Sequence, residues 1–317
     1  MTEQTERGAG VADGGTEGMK SLRTALRLLM MFAGEQRDYG VGELAERAGL
    51  SKSQVSKVLA AFGEAGLLVQ NPESRRYSVG VRMFALGSRF VTYDRLCREA
   101  MPVMRELVAQ TGHSARLSVL DGDNALYLLG FEGPFFVDTG WRAGTWLPVH
   151  ASSAGRVMLA FSESHRAERV MASGAMRAIT DRTVIDPAEL RRIIDLARWQ
   201  GYSVQRGETS PGLGVISVPV FGEGMEVVAT LGFAFPAHLV APADEPDLVA
   251  PLHEAARILS QRIGGTVYPF GRGPAARPAA ATGNGPAAGN GGGNGGGNGN
   301  GTGGGTGGIS IASGGQR

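Results

Sequence analysis

Residues 41–62, VGELAERAGLSKSQVSKVLAAF, confine this part of the chain to two short helices packed across a tight turn. Leu44, Ala45 and Ala48 share one helical face, and Ala45 is small enough for a second helix to cross close to its backbone. Gly49 supplies the turn, Ser51 is placed to cap the next helix, and Gln54 stands three residues on, where a capping-box partner belongs. Val55, Val58, Leu59 and Phe62 then recur at the spacing of a buried helical stripe. The opposite face carries Lys52, Ser53, Gln54, Ser56 and Lys57 and no acid, which suits a polyanion. Gln54 has two competing uses: turned back it caps Ser51, turned outward it reads adenine. Lys52 is placed for phosphate, and Lys57 for guanine or phosphate.

Gly63 and Gly66 are expected to end that helix. A strand over 67–70, a turn over 71–74 and a return strand over 75–80 then form a hairpin that places Arg75 and Arg76 beside phosphates or in a minor groove. Upstream, 21–32 reads as a third helix, with Leu22, Ala25, Leu26, Leu29 and Phe32 closing a small core. Three helices and a hairpin over 19–80 make a winged helix-turn-helix. Whole-chain charge is nearly balanced, with 31 Lys and Arg against 30 Asp and Glu, but 19–80 holds nine bases against six acids and all of the lysines. So modest an excess makes paired heads, each adding phosphate contacts, attractive.

Beyond the wing, 81–98 reads as a connecting helix suited to subunit pairing, followed by a second helix that Pro102 opens at a tolerated first-turn position. Residues 99–265 mix strands and helices. Strands are expected over 116–120, 125–131, 135–139, 202–205, 215–221 and 227–235, with a hairpin turn at 121–124, and helices over 153–161, 162–173, 186–200 and 247–263. Hairpin strands with helices grouped between them give an α+β class with an antiparallel sheet. Residues 1–18 and the Gly/Asn-rich tail 266–317 lack any apolar period and are expected to be disordered.

No catalytic constellation stands out. His113, His150, His165, His238 and His253 are scattered, without metal-ligand spacing, and no phosphate-binding loop or nucleophile elbow occurs, so no enzyme activity, metal or cofactor is expected. Glu208 reads as loop polarity. Cys97, the single cysteine, excludes an internal disulfide; it is either a buried structural thiol or one activated by Arg95 and Arg98. The longest uncharged run before the Gly/Asn-rich tail, 227–243, is interrupted by Gly232, Pro236 and Pro242, so no membrane span and a cytoplasmic location are expected.

The blocks SLRTALRLL, GELAERAGLSKSQVSKVLAAF, RRYSVGVRMFALG, LPVHASSAGRVMLA and GYSVQRGETSPGLGVISVPVF follow one another in an order and spacing that resembles the IclR family of bacterial transcription regulators, over about 20–264. The resemblance implies a winged helix-turn-helix joined to a GAF-like effector domain, a homodimer or homotetramer, and binding of a pseudo-palindromic double-stranded DNA operator, with repression the expected sign. It places the effector against Ser153, Ala154, Gln205, Val215, Gly232 and Ala234. Family members that bind small carboxylates commonly show an acid, a Cys and paired Ser at the last four positions. Their replacement is expected to remove donors, enlarge the cavity and select a larger, less charged effector, aromatic ones included, or none at all, with Trp141 and Trp146 either forming a wall or simply packing. The alternative is a ligand-sensing or enzymatic module whose N-terminal domain mediates protein contacts.

Overall fold

The computed structural model describes residues 14–34, 36–134, 143–172, 174 and 176–271. The strand expected over 135–139, Trp141, the first thirteen residues and 272–317 lie outside them. The N-terminal domain is built from α1 (Gly14–Met30), which passes into a 3-10 turn (Met31–Ala33), then β1 (Asp38–Tyr39), α2 (Val41–Ala48), α3 (Lys52–Glu64), β2 (Leu68–Gln70) and β3 (Tyr77–Val79). β3 is central, pairing antiparallel with β2 as expected and with β1, which the sequence reading did not find. Gly49 adopts a left-handed conformation (φ 65°), so that its own N–H and that of Leu50 can close the end of α2. Leu28, Leu44, Val55 and Leu59 are fully buried in the domain core, each contributing about 2 kcal/mol.

Three expectations here need correction. α1 begins at Gly14, inside the stretch expected to be disordered. Leu22 and Leu26 are each 51 % exposed, and Leu28 fills the core instead, because α1 carries two apolar faces and only one meets α2 and α3. Gly63 is helical, and α3 runs on to Glu64.

The connecting segment is α4 (Val81–Tyr93), followed without a loop by α5 (Arg95–Thr111). Asp94 marks the break: its side chain accepts the Cys97 N–H at 2.9 Å, capping α5 there rather than at 98. Pro102 therefore lies inside α5, not in its first turn. α4 buries none of its residues, and Val81, Phe84, Phe90 and Tyr93 are all exposed.

The larger domain is a six-stranded antiparallel sheet in the order β6-β5-β4-β9-β8-β7, with β4 (Ser114–Asp121), β5 (Asn124–Phe131), β6 (Trp146–Pro148), β7 (Ser203–Arg206), β8 (Leu213–Phe221) and β9 (Val227–Pro236). Helices α6 (Ser153–Phe161), α7 (Ser164–Ala172), α8 (Pro187–Gln200) and α9 (Glu245–Arg262) complete it, close to the expected bounds; edge strand β6 was not expected. Side chains alternate along the strands. Leu117, Ile216, Val218, Leu231 and Phe233 join an apolar core with α5 and α9, while Arg116, Ser118, Ser217, Thr230 and Gly232 occupy the opposite face, under the N-terminus of α6.

The folded chain continues past 265, into the expected tail. Tyr268 is buried, and its hydroxyl donates to the Pro219 carbonyl at 3.1 Å and lies 2.8 Å from His253 Nδ1. A phenol has one proton, so Nδ1 is the donor to it. Phe270 stacks on His253 at 5.5 Å. Burial pulls the His253 imidazole down to about 4. The unfolded chain binds a proton near pH 6.5 and the folded chain resists it until about 4, so stability is complete above the first value and falls between the two. The thermal midpoint of the wild type is therefore expected to drop more steeply between pH 6.5 and 4.5 than that of His253→Gln, which keeps a donor but does not titrate. Parallel curves in scanning calorimetry would refute this.

Candidate nucleic-acid interface and ligand pocket

The reading face of α3 forms because its other face is fixed. Val55 and Leu59 are buried, which turns Lys52, Ser53, Gln54, Ser56 and Lys57 outward, and all five are exposed. Ser51 Oγ accepts the Gln54 N–H at 3.2 Å and Gln54 Oε1 accepts the Ser51 N–H at 3.1 Å, a complete capping box. Of its two competing uses, Gln54 is thus engaged in the cap, which contributes about 1 kcal/mol.

The two wing arginines differ. Arg75 is exposed at the tip, in a left-handed conformation (φ 57°) that follows an Asn71 turn in which Oδ1 accepts the N–H groups of Glu73 and Ser74. Arg76 turns back into the domain. Its guanidinium pairs with the Asp38 carboxylate, donates to the Asp38 carbonyl at 2.9 Å and pairs with Glu43 at 2.9 Å. Arg76 is thus not the free wing cation the sequence suggested: it braces the wing against β1 and α2. Its partners lie 38 and 33 residues away in sequence, which explains why local pattern missed them.

The polar face of the sheet encloses a void of about 40 Å3, room for about three waters. Ser153, Ala154, Gln205, Val215 and Gly232 line it as expected; Ala234, register partner of Val215, does not. Arg116, Ser118, Tyr127, Thr209, Ser217 and Thr230, absent from the expected set, also line it. Their signal was present as strict alternation of polar Arg116 and Ser118 with Ala115 and Leu117. The Arg116 guanidinium lies over the Tyr127 ring, 4.8 Å from its centre. Ser153 and Ser217 hydroxyls hydrogen-bond at 2.8 Å.

The expectation of a wide cavity is not met. Gly232 does not enlarge it, because a Cβ there would fall 2.5 Å from the Ile216 carbonyl and 2.8 Å from Ser217 Oγ. Trp146 forms no wall: its Nε1 donates to Asp121 at 2.7 Å.

One wall is held by a buried ion pair. Arg156 donates to both carboxylate oxygens of Glu208, at 2.8 Å from Nη1, and its Nε donates to the His150 carbonyl at 2.7 Å. Glu208 also accepts the Val184 N–H at 3.1 Å, and its carbonyl accepts the Thr183 hydroxyl at 2.6 Å. Glu208 is thus no ordinary polar loop residue. Cys97 is buried, and burial and Asp94 push its thiol up to about 12, as for a structural thiol rather than an activated one. Among the described residues no cluster of His, Cys, Asp and Glu is placed to hold a metal, and no helix is long and apolar enough to cross a membrane.

These two constructions have close counterparts in known proteins. The IclR helix-turn-helix domain model matches residues 21–72, and the model described as bacterial transcriptional regulator IclR C-terminal matches 89–261. The HTH-type transcriptional regulator KdgR of Dickeya chrysanthemi is 32 % identical over 76 % of this chain and 79 % of its own. An IclR transcriptional regulator from Alicyclobacillus acidocaldarius superposes with a TM-score of 0.69 at 29 % identity, over 77 % of this chain and 99 % of that one. An IclR homolog from Microbacterium hydrocarbonoxydans, complexed with 4-hydroxybenzoate, gives 0.66 at 28 % identity, over 77 % and 98 %. These relatives are regulators rather than enzymes, and with both halves matched in order on a shared fold, the chain belongs to the IclR family of bacterial DNA-binding transcriptional regulators.

Proposed function

We propose that this protein is a ligand-gated repressor that works in the cytoplasm by occupying a pseudo-palindromic operator. The observation that carries the reading is the exposed, acid-free face of α3, with Lys52, Ser53, Ser56 and Lys57 directed outward. Ser53 and Ser56 read base edges, Lys57 reaches guanine or phosphate, and Lys52 and the wing-tip Arg75 hold the backbone. Gln54 orders the start of the helix and Arg76 sets the wing angle, so both act by positioning.

One head offers few contacts, so two copies place two α3 helices in successive major grooves, with half-sites about one helical turn apart. Exposed apolar residues support where the copies meet. Met19, Leu22, Leu26 and Met30 form a stripe on α1, and Val81, Phe84, Phe90 and Tyr93 are exposed around α4, all open in the single chain. Contiguous apolar surface of this kind is uncommon on a monomer. The assembly is a homodimer, or a homotetramer made of two.

The effector occupies the void between the polar sheet face and α6, against Ser153, Ala154, Gln205, Val215 and Gly232. Its small size favours a compact ligand over the bulky one that the sequence suggested. Ligand binding changes the angle between the DNA heads through α4 and α5, which join the two domains.

Two outcomes test this. In a gel shift with its own promoter region, the Lys52→Ala, Lys57→Ala pair is expected to bind at least about tenfold more weakly at 150 mM salt, with a shallower salt dependence. Wild-type binding would favour an N-terminal domain devoted to protein contacts. In sedimentation velocity, Phe84→Glu with Phe90→Glu is expected to shift the protein towards monomer, and an unchanged distribution would move the interface elsewhere.

A further inference from the structure

The end of the reading helix and the start of the connecting helix are tied together at one place. α3 closes with the Leu67 N–H donating to the Phe62 carbonyl at 2.9 Å and the Gly66 N–H to the Gly63 carbonyl at 2.9 Å, Gly66 being left-handed (φ 69°). The Ala65 carbonyl lies outside this closure, and Arg82 Nη1, from the first turn of α4, donates to it at 2.8 Å. The Arg82 stem rests on the bare backbone of Gly66, where a Cβ would fall 2.9 Å from its Cδ. Gly80, between β3 and α4, donates its N–H to the Leu67 carbonyl at 2.7 Å, and a Cβ there would meet the Gly66 carbonyl at 2.5 Å. The rest of α4 buries no residue, and among the described residues Arg82 is the one α4 side chain that hydrogen-bonds outside its own helix.

We infer that Arg82 is a positioning residue for operator recognition: it locks the direction in which α4 leaves the reading head, so that α3 and α4 turn as one body and the pairing of two copies fixes the distance between their α3 helices. The inference rests on the reading that two heads paired through α4 bind one operator. Gly80 is the pivot between head and helix, and a bond at a pivot does not set direction. Arg82, two residues on and carrying its donor on a long arm, does. The 13 residues of α4 extend about 20 Å, so about 10° of slack at its start displaces its far end by about 3.5 Å, one base-pair step. Loss of this single tie is therefore enough to blur the spacing that a pair of heads demands.

Spacing tolerance tests this. A pseudo-palindromic duplex is selected from random-sequence DNA by the full-length wild type. Gel shifts then compare wild type with Arg82→Ala on that duplex and on versions with one or two base pairs inserted or removed between the half-sites. The wild type is expected to lose at least about tenfold in affinity at each altered spacing, because the second head no longer reaches its half-site, and Arg82→Ala to lose less than about threefold. Parallel spacing profiles overturn the inference. So does a uniform weakening of Arg82→Ala at every spacing with a shallower salt dependence, which makes Arg82 a phosphate contact instead. A wild type that selects no paired half-sites contradicts the paired-head reading and removes the inference with it. The Arg82 side chain is exposed, so its truncation leaves the core intact. Should Arg82→Ala nevertheless not fold, Arg82→Met, which keeps a stem over Gly66 and lacks the donor, is held to the same two outcomes.

Discussion

The Arg156–Glu208 pair is the interaction on which the larger domain depends. Arg156 sits on α6 and Glu208 follows β7, so the bond ties the helix that roofs the polar sheet face to the loop that closes one end of it. Removing one partner of such a buried pair costs about 3–5 kcal/mol, because the other charge is left without compensation. Two further bonds support the pair here: Arg156 reaches the His150 carbonyl, and Glu208 takes the Val184 N–H. The same clamp fixes the Glu208 backbone N–H, which in turn fixes the Gln205 amide. Gln205 is thus two hydrogen bonds from α6 and two from the segment that leads into α8.

Around that clamp the sheet is divided by period-two alternation. One face is an ordinary apolar core against α5 and α9. The other buries Arg116, Ser217, Thr230 and Gln205, groups that cost free energy to remove from water unless each finds a partner. A fold that tolerates this keeps a polar interior. α5 packs on the apolar face and continues directly into α4 at Asp94, so a change in the sheet has a helical route to the DNA-reading head.

The reading head was largely legible in the sequence because its signals are local: the Gly49 turn, the Ser51 and Gln54 cap and the Val55 and Leu59 stripe each lie within a few residues. What failed depended on distant partners. Arg76 looked like a free wing cation because Asp38 lies 38 residues away, and Glu208 looked like loop polarity because Arg156 lies 52 residues away. On α1 the apolar period was visible, but which of two faces is buried is decided by α2 and α3. The lining residues came partly through resemblance and partly not, although the alternation at 114–118 and 230–234 marked Arg116 and Thr230. Cavity size was not readable, since a void is set by how α6 seats on the sheet. Tyr268 and Phe270 were hidden by the low-complexity composition that follows them.

The most direct measurement is the sequencing of genome fragments retained by the purified full-length protein at two salt concentrations. The expected result is a shared pseudo-palindrome with half-sites about one helical turn apart, enriched further as salt rises and non-specific binding falls. Fragments with no common sequence, retained in proportion to length and lost together at higher salt, would contradict paired α3 heads as the basis of recognition.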